Sequence, residues 1–158
     1  MKCHVSTLFA LSSAILIAAG AGQAEDSASN IITVTPDQIE WVPNPRVEGL
    51  GAAQIMGNSK KPGPYVHRVR FPKGRIVQAH SHPDDRTYTV LSGTWYVGWG
   101  DVYDESKLTA LPPGSFYTEP AGVPHFISTP DEETVVQVSG IGPTSATFVN
   151  PEHAHKKK

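Results

Sequence analysis

The chain has 158 residues, of which 14 are glycine and 14 are proline, and its formal net charge is −2. This length suits one domain, and the glycine and proline content excludes a helical bundle because both residues interrupt helices. The near-neutral charge gives no indication of nucleic acid as a partner. Cys3 is the only cysteine, so the fold cannot contain an internal disulfide.

The first 24 residues have the pattern of a secretory signal peptide. Lys2 supplies a positive start, residues 8–19 are mostly apolar, and the small residue Ala24 ends a typical cleavage pattern. The apolar run is shorter than the roughly 20 residues of a transmembrane helix. We therefore expect a secreted or periplasmic protein with no membrane association after cleavage. The mature chain is predicted to be a single domain over residues 25–158, with a short loose tail at 152–158.

The remaining sequence is predicted to form short β-strands between turns. The segment Ile31–Thr35 is rich in β-branched residues and predicts the first strand. Residues 41–64 are rich in proline and glycine, which predicts loops with one short strand near Ala52–Met56. Residues 101–111 are predicted to be a loop with a helical turn. Alternating or β-branched segments predict the other strands: Tyr65–Phe71, Arg75–His82, Thr87–Leu91, Thr94–Gly98, Ser115–Glu119, Phe126–Ser128, Thr134–Ser139 and Ala146–Val149. Many short strands at this spacing indicate an all-β sandwich or small barrel.

Three histidines fall where predicted strands meet turns. His80 and His82 are two residues apart, so both imidazoles point to the same face of an extended strand. Gln78 is expected on that face too. Imidazole is a ligand for iron, zinc, copper and nickel, but a His-x-His pair alone is weak evidence for a metal site. His125 follows the turn at 120–124 and is the candidate third ligand.

The spacing of these histidines resembles the two motifs of the cupin superfamily. The first motif is matched by Gly74, five residues, His80-Ser81-His82, and Gly93 at its closing position. The second motif is matched by Gly114, five residues, Pro120-Ala121-Gly122, two residues and His125. The departures are Arg86, where the family has a glutamate ligand, and Thr129, where it has asparagine. The resemblance implies a double-stranded β-helix, which is a jelly-roll barrel, with a metal held by His80, His82 and His125.

Arg86 changes the ligand set that the resemblance implies. A guanidinium stays protonated and has no lone pair for a metal. The site could be a three-histidine site, as in cupins that resemble the thiol and diketone dioxygenases, or Asp84 or Asp85 could supply a carboxylate ligand. Arg86 could also bind an anionic substrate beside the metal, or the metal site could be lost altogether.

Two further residues are candidates for catalysis. Alternation places Tyr88 on the same face as Arg86. Glu119 lies six residues before His125, and the resemblance to diketone-cleaving cupins implies that it acts beside the metal. Glu119 could also complete the ligand set or pair with Arg86. A surface glutamate is an equal alternative. His67 lies in an alternating strand and is predicted to face solvent or an interface.

The functional expectation is a secreted metal-binding cupin with one divalent transition metal. Fe(II) is favoured, and Zn, Mn, Ni or Cu are alternatives. The preferred activity is dioxygenase-type oxidation of a small carboxylate or diketone, and cupin isomerase or lyase chemistry is the nearest enzymatic alternative. A non-catalytic periplasmic binding or sensing module is the competing class. We expect a small molecule as ligand, no nucleic acid, and a homodimer as a plausible assembly.

Overall fold

The structure, a computed structural model, describes residues 31–154, and residues 33–154 form two antiparallel β-sheets. The strands are β1 (Val42–Pro43), β2 (Gly51–Met56), β3 (Gly63–Phe71), β4 (Arg75–Ser81), β5 (Arg86–Ser92), β6 (Trp95–Trp99), β7 (Thr109–Leu111), β8 (Phe116–Glu119), β9 (His125–Thr129), β10 (Thr134–Gly142) and β11 (Thr147–Phe148). Short 3₁₀ helices span Pro36–Gln38, Glu105–Lys107 and Pro151–Ala154. The all-β jelly-roll prediction is confirmed.

In each sheet, strands that are distant in sequence lie next to each other. The larger sheet has the order β1-β2-β3-β10-β5-β8, and the smaller has the order β11-β4-β9-β6-β7. The core between them contains aromatic and β-branched side chains, which suit the pleated surface of a strand. Its fully or nearly fully buried members include Tyr65, Trp95, Ile127, Val136 and Val138.

Cross-strand register arranges the inner face of the larger sheet in three rows. Residues directly opposite each other on paired strands share a face, so each row is a set of neighbouring side chains. The first row is mainly polar, the second is mixed and the third is apolar. They are Tyr65, Gly140, Arg86 and Glu119; His67, Val138, Tyr88 and Tyr117; and Val69, Val136 and Val90.

The predicted strand at Ile31–Thr35 is wrong. These residues are not in a strand, and a 3₁₀ helix begins directly after them at Pro36. Ile31 and Ile32 are 75% and 55% exposed, so β-branched residues here lack the packing that makes them favourable in a sheet. The loop predicted at 101–111 contains the expected helical turn, but it also contains β7, which pairs with β6.

The predicted signal peptide lies outside the described residues. Within residues 31–154, no helix has the length and apolar character needed to cross a bilayer.

Candidate metal centre

An irregularity in β4 brings His80 to the inner face of the barrel. β4 pairs with β9, and the register shifts between Val77 and His80. Val77 and His80 consequently both line the interior cavity, although strict alternation would put them on opposite faces. Gln78 does not line this cavity but lines a groove outside it, which corrects the expectation that it shares the histidine face.

His80, His82 and His125 come together at one end of the cavity. His80 lies opposite His125 in the β4–β9 register, and His82 follows the end of β4. One ring nitrogen from each histidine lies within 4.8 Å of those of the other two. The turn that precedes His125 is tied to this region, because the Gly122 N–H donates to the His82 carbonyl at 2.8 Å.

Main-chain carbonyls orient all three imidazoles. The Nδ1 atoms of His80, His82 and His125 lie 2.8, 2.6 and 3.2 Å from the carbonyls of Gln78, Ser145 and Val123. A carbonyl only accepts, so these contacts favour the tautomer with hydrogen on Nδ1 and a lone pair on Nε2. Such outer contacts are typical of metal-binding histidines.

The histidines are held neutral by burial. Burial lowers the pKa of His80 to about 4, with a smaller contribution from His125. It lowers the pKa of His82 to about 2 and that of His125 to about 4, with nearby Arg86 contributing to both. A metal ion binds the neutral ring, so the site is prepared for a cation rather than for protons.

Arg86 and Glu119 form a buried ion pair next to the histidines. They lie opposite each other on β5 and β8, with Arg86 Nη2 2.8 Å from Glu119 Oε2. Their side chains are only 6% and 2% exposed. Arg86 also donates to the Tyr88 hydroxyl, and the Tyr117 hydroxyl donates to Glu119 Oε1 at 2.9 Å. Arg86, Tyr88 and Glu119 thus all face the cavity, as alternation predicted for Arg86 and Tyr88.

Glu119 also reaches one of the histidines. Its Oε1 lies 3.2 Å from His125 Nε2. A neutral imidazole carries one N–H, yet His125 has the Val123 carbonyl at one nitrogen and a carboxylate at the other. One of these contacts therefore lacks a hydrogen, and a cation beside Nε2 would resolve the conflict.

The two aspartates considered as ligands have other partners. Asp84 accepts hydrogen bonds from Tyr65 Oη at 2.6 Å and from Thr144 Oγ1. Asp85 accepts from the Ala121 N–H at 2.8 Å. Both carboxylates hold loops and strands together, and neither belongs to the histidine cluster.

The cavity has a volume of about 500 Å³ and largely apolar walls. Val69, Val77, Trp95, Ile127 and Val138 contribute to them. His67 also lines the cavity, which corrects its predicted place on the surface or at an interface. Alternation places His67 on the same face of its strand as Tyr65, Val69 and Phe71, and the structure turns this face inward.

The three histidines fit a divalent transition metal. The Nδ1 contacts leave Nε2 of each ring as the ligand atom, and His82 Nε2 is buried without a hydrogen-bond partner. Three neutral imidazoles suit iron, zinc, copper or nickel.

The sequence matches the model of one protein family. The ChrR cupin-like domain matches residues 29–145. The chain belongs to this cupin family. The matched residues include both histidine motifs and all three histidines of the cluster. No curated protein matches the cupin in sequence.

Solved structures show the same fold at low sequence identity. The DMSP lyase DddQ from Ruegeria pomeroyi DSS-3 is 19% identical, with a TM-score of 0.59 over 82% of this cupin and 76% of that chain. The polyketide cyclase RemF from Streptomyces resistomycificus is 15% identical, with a TM-score of 0.60 over 78% of this cupin and 89% of that chain. A chain from the crystal structures of the DMSP lyases RdDddP and RnDddQII is 18% identical, with a TM-score of 0.58 over 70% of this cupin. The cupin spans 62% of that chain, which is less than two thirds of its length.

Proposed function

We propose that this cupin is a metal-dependent enzyme of the dioxygenase type that acts on a small diketone. His80, His82 and His125 are the proposed ligands, with Fe(II) as the proposed metal. The observation that supports this proposal most strongly is the convergence of three oriented, neutral imidazoles beside the carboxylate of Glu119. Bound iron would supply a Lewis acid for substrate oxygens and a centre for oxygen chemistry.

Glu119 is the proposed base. A carbon between two carbonyls is acidic, and its deprotonation gives an enolate with two oxygens. The Glu119 carboxylate lies next to His125, so it is close to a substrate held at the histidines. Arg86 and the Tyr117 hydroxyl hold one oxygen each, which fixes the direction of the carboxylate before the substrate arrives.

The charges of the site are compatible with a diketone that becomes an anionic enolate. The positive charge of Arg86 is matched by Glu119 and the three histidines are neutral, so the proposed Fe(II) would supply the remaining positive charge. A diketone is neutral until Glu119 takes its proton. When Glu119 takes the proton, the negative charge moves to the substrate, and Arg86 remains nearby to balance it. Tyr88 accepts from Arg86 and retains its own O–H, which can be donated to a substrate oxygen.

The cavity walls would keep bulk water away from this step. Trp95, Ile127 and Val138 line the cavity and are almost fully buried. A carbanion-like intermediate is protected where water is excluded, and the electrostatic interactions around it are stronger in a medium of low dielectric.

A second candidate is an isomerase or lyase that uses the same site. Proton removal by Glu119 from the carbon next to a carbonyl does not itself require molecular oxygen. The position of the Glu119 carboxylate beside His125 supports this step most directly. The distinction between the two candidates is therefore experimental: oxygen is consumed in one and not in the other.

The proposal is tested with untagged full-length protein loaded with Fe(II). Metal content is measured by plasma mass spectrometry, and oxygen uptake is followed with a panel of diketones and carboxylates. We expect near-stoichiometric metal that is lost in His80→Ala and His125→Ala and retained in the control His153→Ala, since His153 lies outside the cavity. Glu119→Gln should retain metal but lose at least about 100-fold in rate.

Each other outcome contradicts the proposal in a different way. Substrate conversion without oxygen uptake would identify the isomerase or lyase. Thermal stabilisation by diketones without any conversion would identify a binding or sensing module. Protein that cannot be loaded with any divalent metal would contradict the metal site itself.

We also propose export to the periplasm or the medium, based on the signal-like sequence of residues 1–24. Amino-terminal sequencing of protein from the producing cells should begin at Glu25. An amino terminus at Met1 would contradict export by cleavage of this segment.

A further inference from the structure

The cavity extends well beyond the histidine cluster. Arg75 lines it and lies five residues from His80 on β4, which is roughly 15 Å along a strand. Leu50 and Phe71 line the cavity near Arg75, because the β2–β3 register and the turn at 72–74 bring these residues to the same end of the barrel. A diketone held at the histidines would leave much of the 500 Å³ cavity unfilled.

Arg75 lacks the charged partners that Arg70 and Arg86 have. Arg86 pairs with Glu119, and Arg70 lies over the Trp41 ring and 3.9 Å from Glu133. No ion pair involves Arg75 among the described residues. The Nε atoms of Arg70, Arg75 and Arg86 are all buried without a hydrogen-bond partner, but Arg75 is the one of these three that also lacks an ion pair. Buried donors are nearly always satisfied, so this N–H requires an acceptor from a ligand or from water.

The cavity wall contains no carboxylate for Arg75. Glu119 is the only acidic residue among the described residues that line the cavity, and it is paired with Arg86 at the histidine end. Arg75 also lines the polar groove outside the barrel, where Glu48 is present but forms no ion pair with it. The cavity therefore has a balanced charge at one end and an unbalanced cation at the other.

We propose that Arg75 binds a carboxylate at the distal end of the substrate. The substrate class is then an amphipathic molecule with a dicarbonyl head at the histidines, an apolar body and an anionic tail. The identity of the head rests on the proposed function, whereas the anionic tail rests on Arg75 alone. A guanidinium suits this role because its planar donors match the two oxygens of a carboxylate. Apolar contacts between the two ends come from Val69, Val77 and Ile127.

The test measures binding rather than turnover. Octanoate and octan-1-ol are titrated into metal-loaded full-length protein by isothermal calorimetry, because the two ligands share an apolar chain and differ in the charged group. We expect wild type to bind octanoate about tenfold more tightly than octan-1-ol, as a charge-assisted hydrogen bond would provide. In Arg75→Met this preference should disappear, while octan-1-ol affinity changes little.

Matched variants separate the possible outcomes. Arg46→Met removes an exposed arginine that does not line the cavity and should keep the tenfold preference. Arg75→Lys should retain part of it. A preference that persists in Arg75→Met would mean that the carboxylate binds at the metal or elsewhere, and it would overturn the proposal. Equal binding of both ligands to wild type would overturn it as well.

Failure of the proposed function gives a different result. If wild type binds octanoate through Arg75 but consumes no oxygen and converts no diketone, the distal anion site stands and the dioxygenase reaction does not. If diketones are oxidised while Arg75→Met leaves the octanoate preference unchanged, the dioxygenase reaction stands and the distal anion site does not.

Discussion

Arg86 and Glu119 lie directly opposite each other on β5 and β8, and Arg86 Nη2 is 2.8 Å from Glu119 Oε2. The arginine therefore stands where the cupin motif has a metal-binding carboxylate, and a carboxylate from the adjacent strand stands beside it. Because Glu119 also touches His125, the ion pair links the barrel wall to the proposed metal ligands.

Arg86→Met should destabilise the fold by about 3–5 kcal/mol, because it leaves Glu119 buried without its cation. The double variant Arg86→Met/Glu119→Leu should recover most of this loss, since no buried charge remains. Urea denaturation of the wild type and both variants measures the two free energies of unfolding. A double variant no more stable than the single one would show that the loss arises from packing rather than from the unpaired charge.

Arg86→Glu should tighten metal binding by about tenfold or more, because a carboxylate at this position adds an anionic ligand where the cupin motif places one. In the absence of metal, Arg86→Glu should be less stable than wild type, since the new carboxylate faces the carboxylate of Glu119. Competition with a chelator for Zn(II) measures the affinity, and Arg86→Gln is the control that removes the cation without adding an anion. Equal affinities of the two variants would mean that a side chain at position 86 does not reach the metal.

His67 should make stability depend on pH. Burial, with a contribution from Arg86, lowers the pKa of His67 from 6.5 to about 4 in the fold. Between these values the unfolded chain binds a proton that the folded chain does not, so stability falls as the pH decreases from about 6.5 to about 4. His80, His82 and His125 act in the same direction, and a single substitution isolates the contribution of His67.

On changing from about pH 7.5 to about pH 4.5, wild type should lose about 2 kcal/mol more stability than His67→Gln. Denaturant unfolding at both pH values provides the measurement. Parallel pH profiles for the two proteins would show that His67 is equally protonated in the folded and unfolded chains.

Gly140→Ala should destabilise the protein by about 1–3 kcal/mol through overpacking. A β-carbon at this position would lie 2.7 Å from the Tyr65 hydroxyl oxygen and 2.8 Å from Asp84 Oδ2. Gly140 separates Tyr65 from Arg86 in the first row, and the hydrogen-bonded Tyr65–Asp84 pair packs against it. Adding Tyr65→Phe, which removes the hydroxyl, should relieve part of the clash. Thermal unfolding tests this, and a simple sum of the two separate losses would argue against the contact.

Local sequence patterns predicted most of the strands because alternation and turn residues act over a few positions. Tyr65–Phe71 and Thr134–Ser139 lie inside β3 and β10, and Arg86 and Tyr88 share a face as alternation requires. The pattern failed at Ile31–Thr35, where strand propensity is present but none of the strands in residues 31–154 pairs with this segment. Alternation also placed Gln78 on the face of His80, because a two-residue period cannot show the register shift between Val77 and His80.

The residues around His80, His82 and His125 resemble the two cupin motifs, and this resemblance implied both the jelly-roll fold and a cluster of imidazoles. The sequence by itself showed short strands between turns and two histidines on one face of a strand. Only the tertiary structure decided which groups the other polar residues meet. Arg86 and Glu119 are 33 positions apart, His67 faces the cavity, and Arg75 lies at its far end without a countercharge. These relationships depend on how strands from distant parts of the chain pair across two sheets, and no local pattern encodes that register.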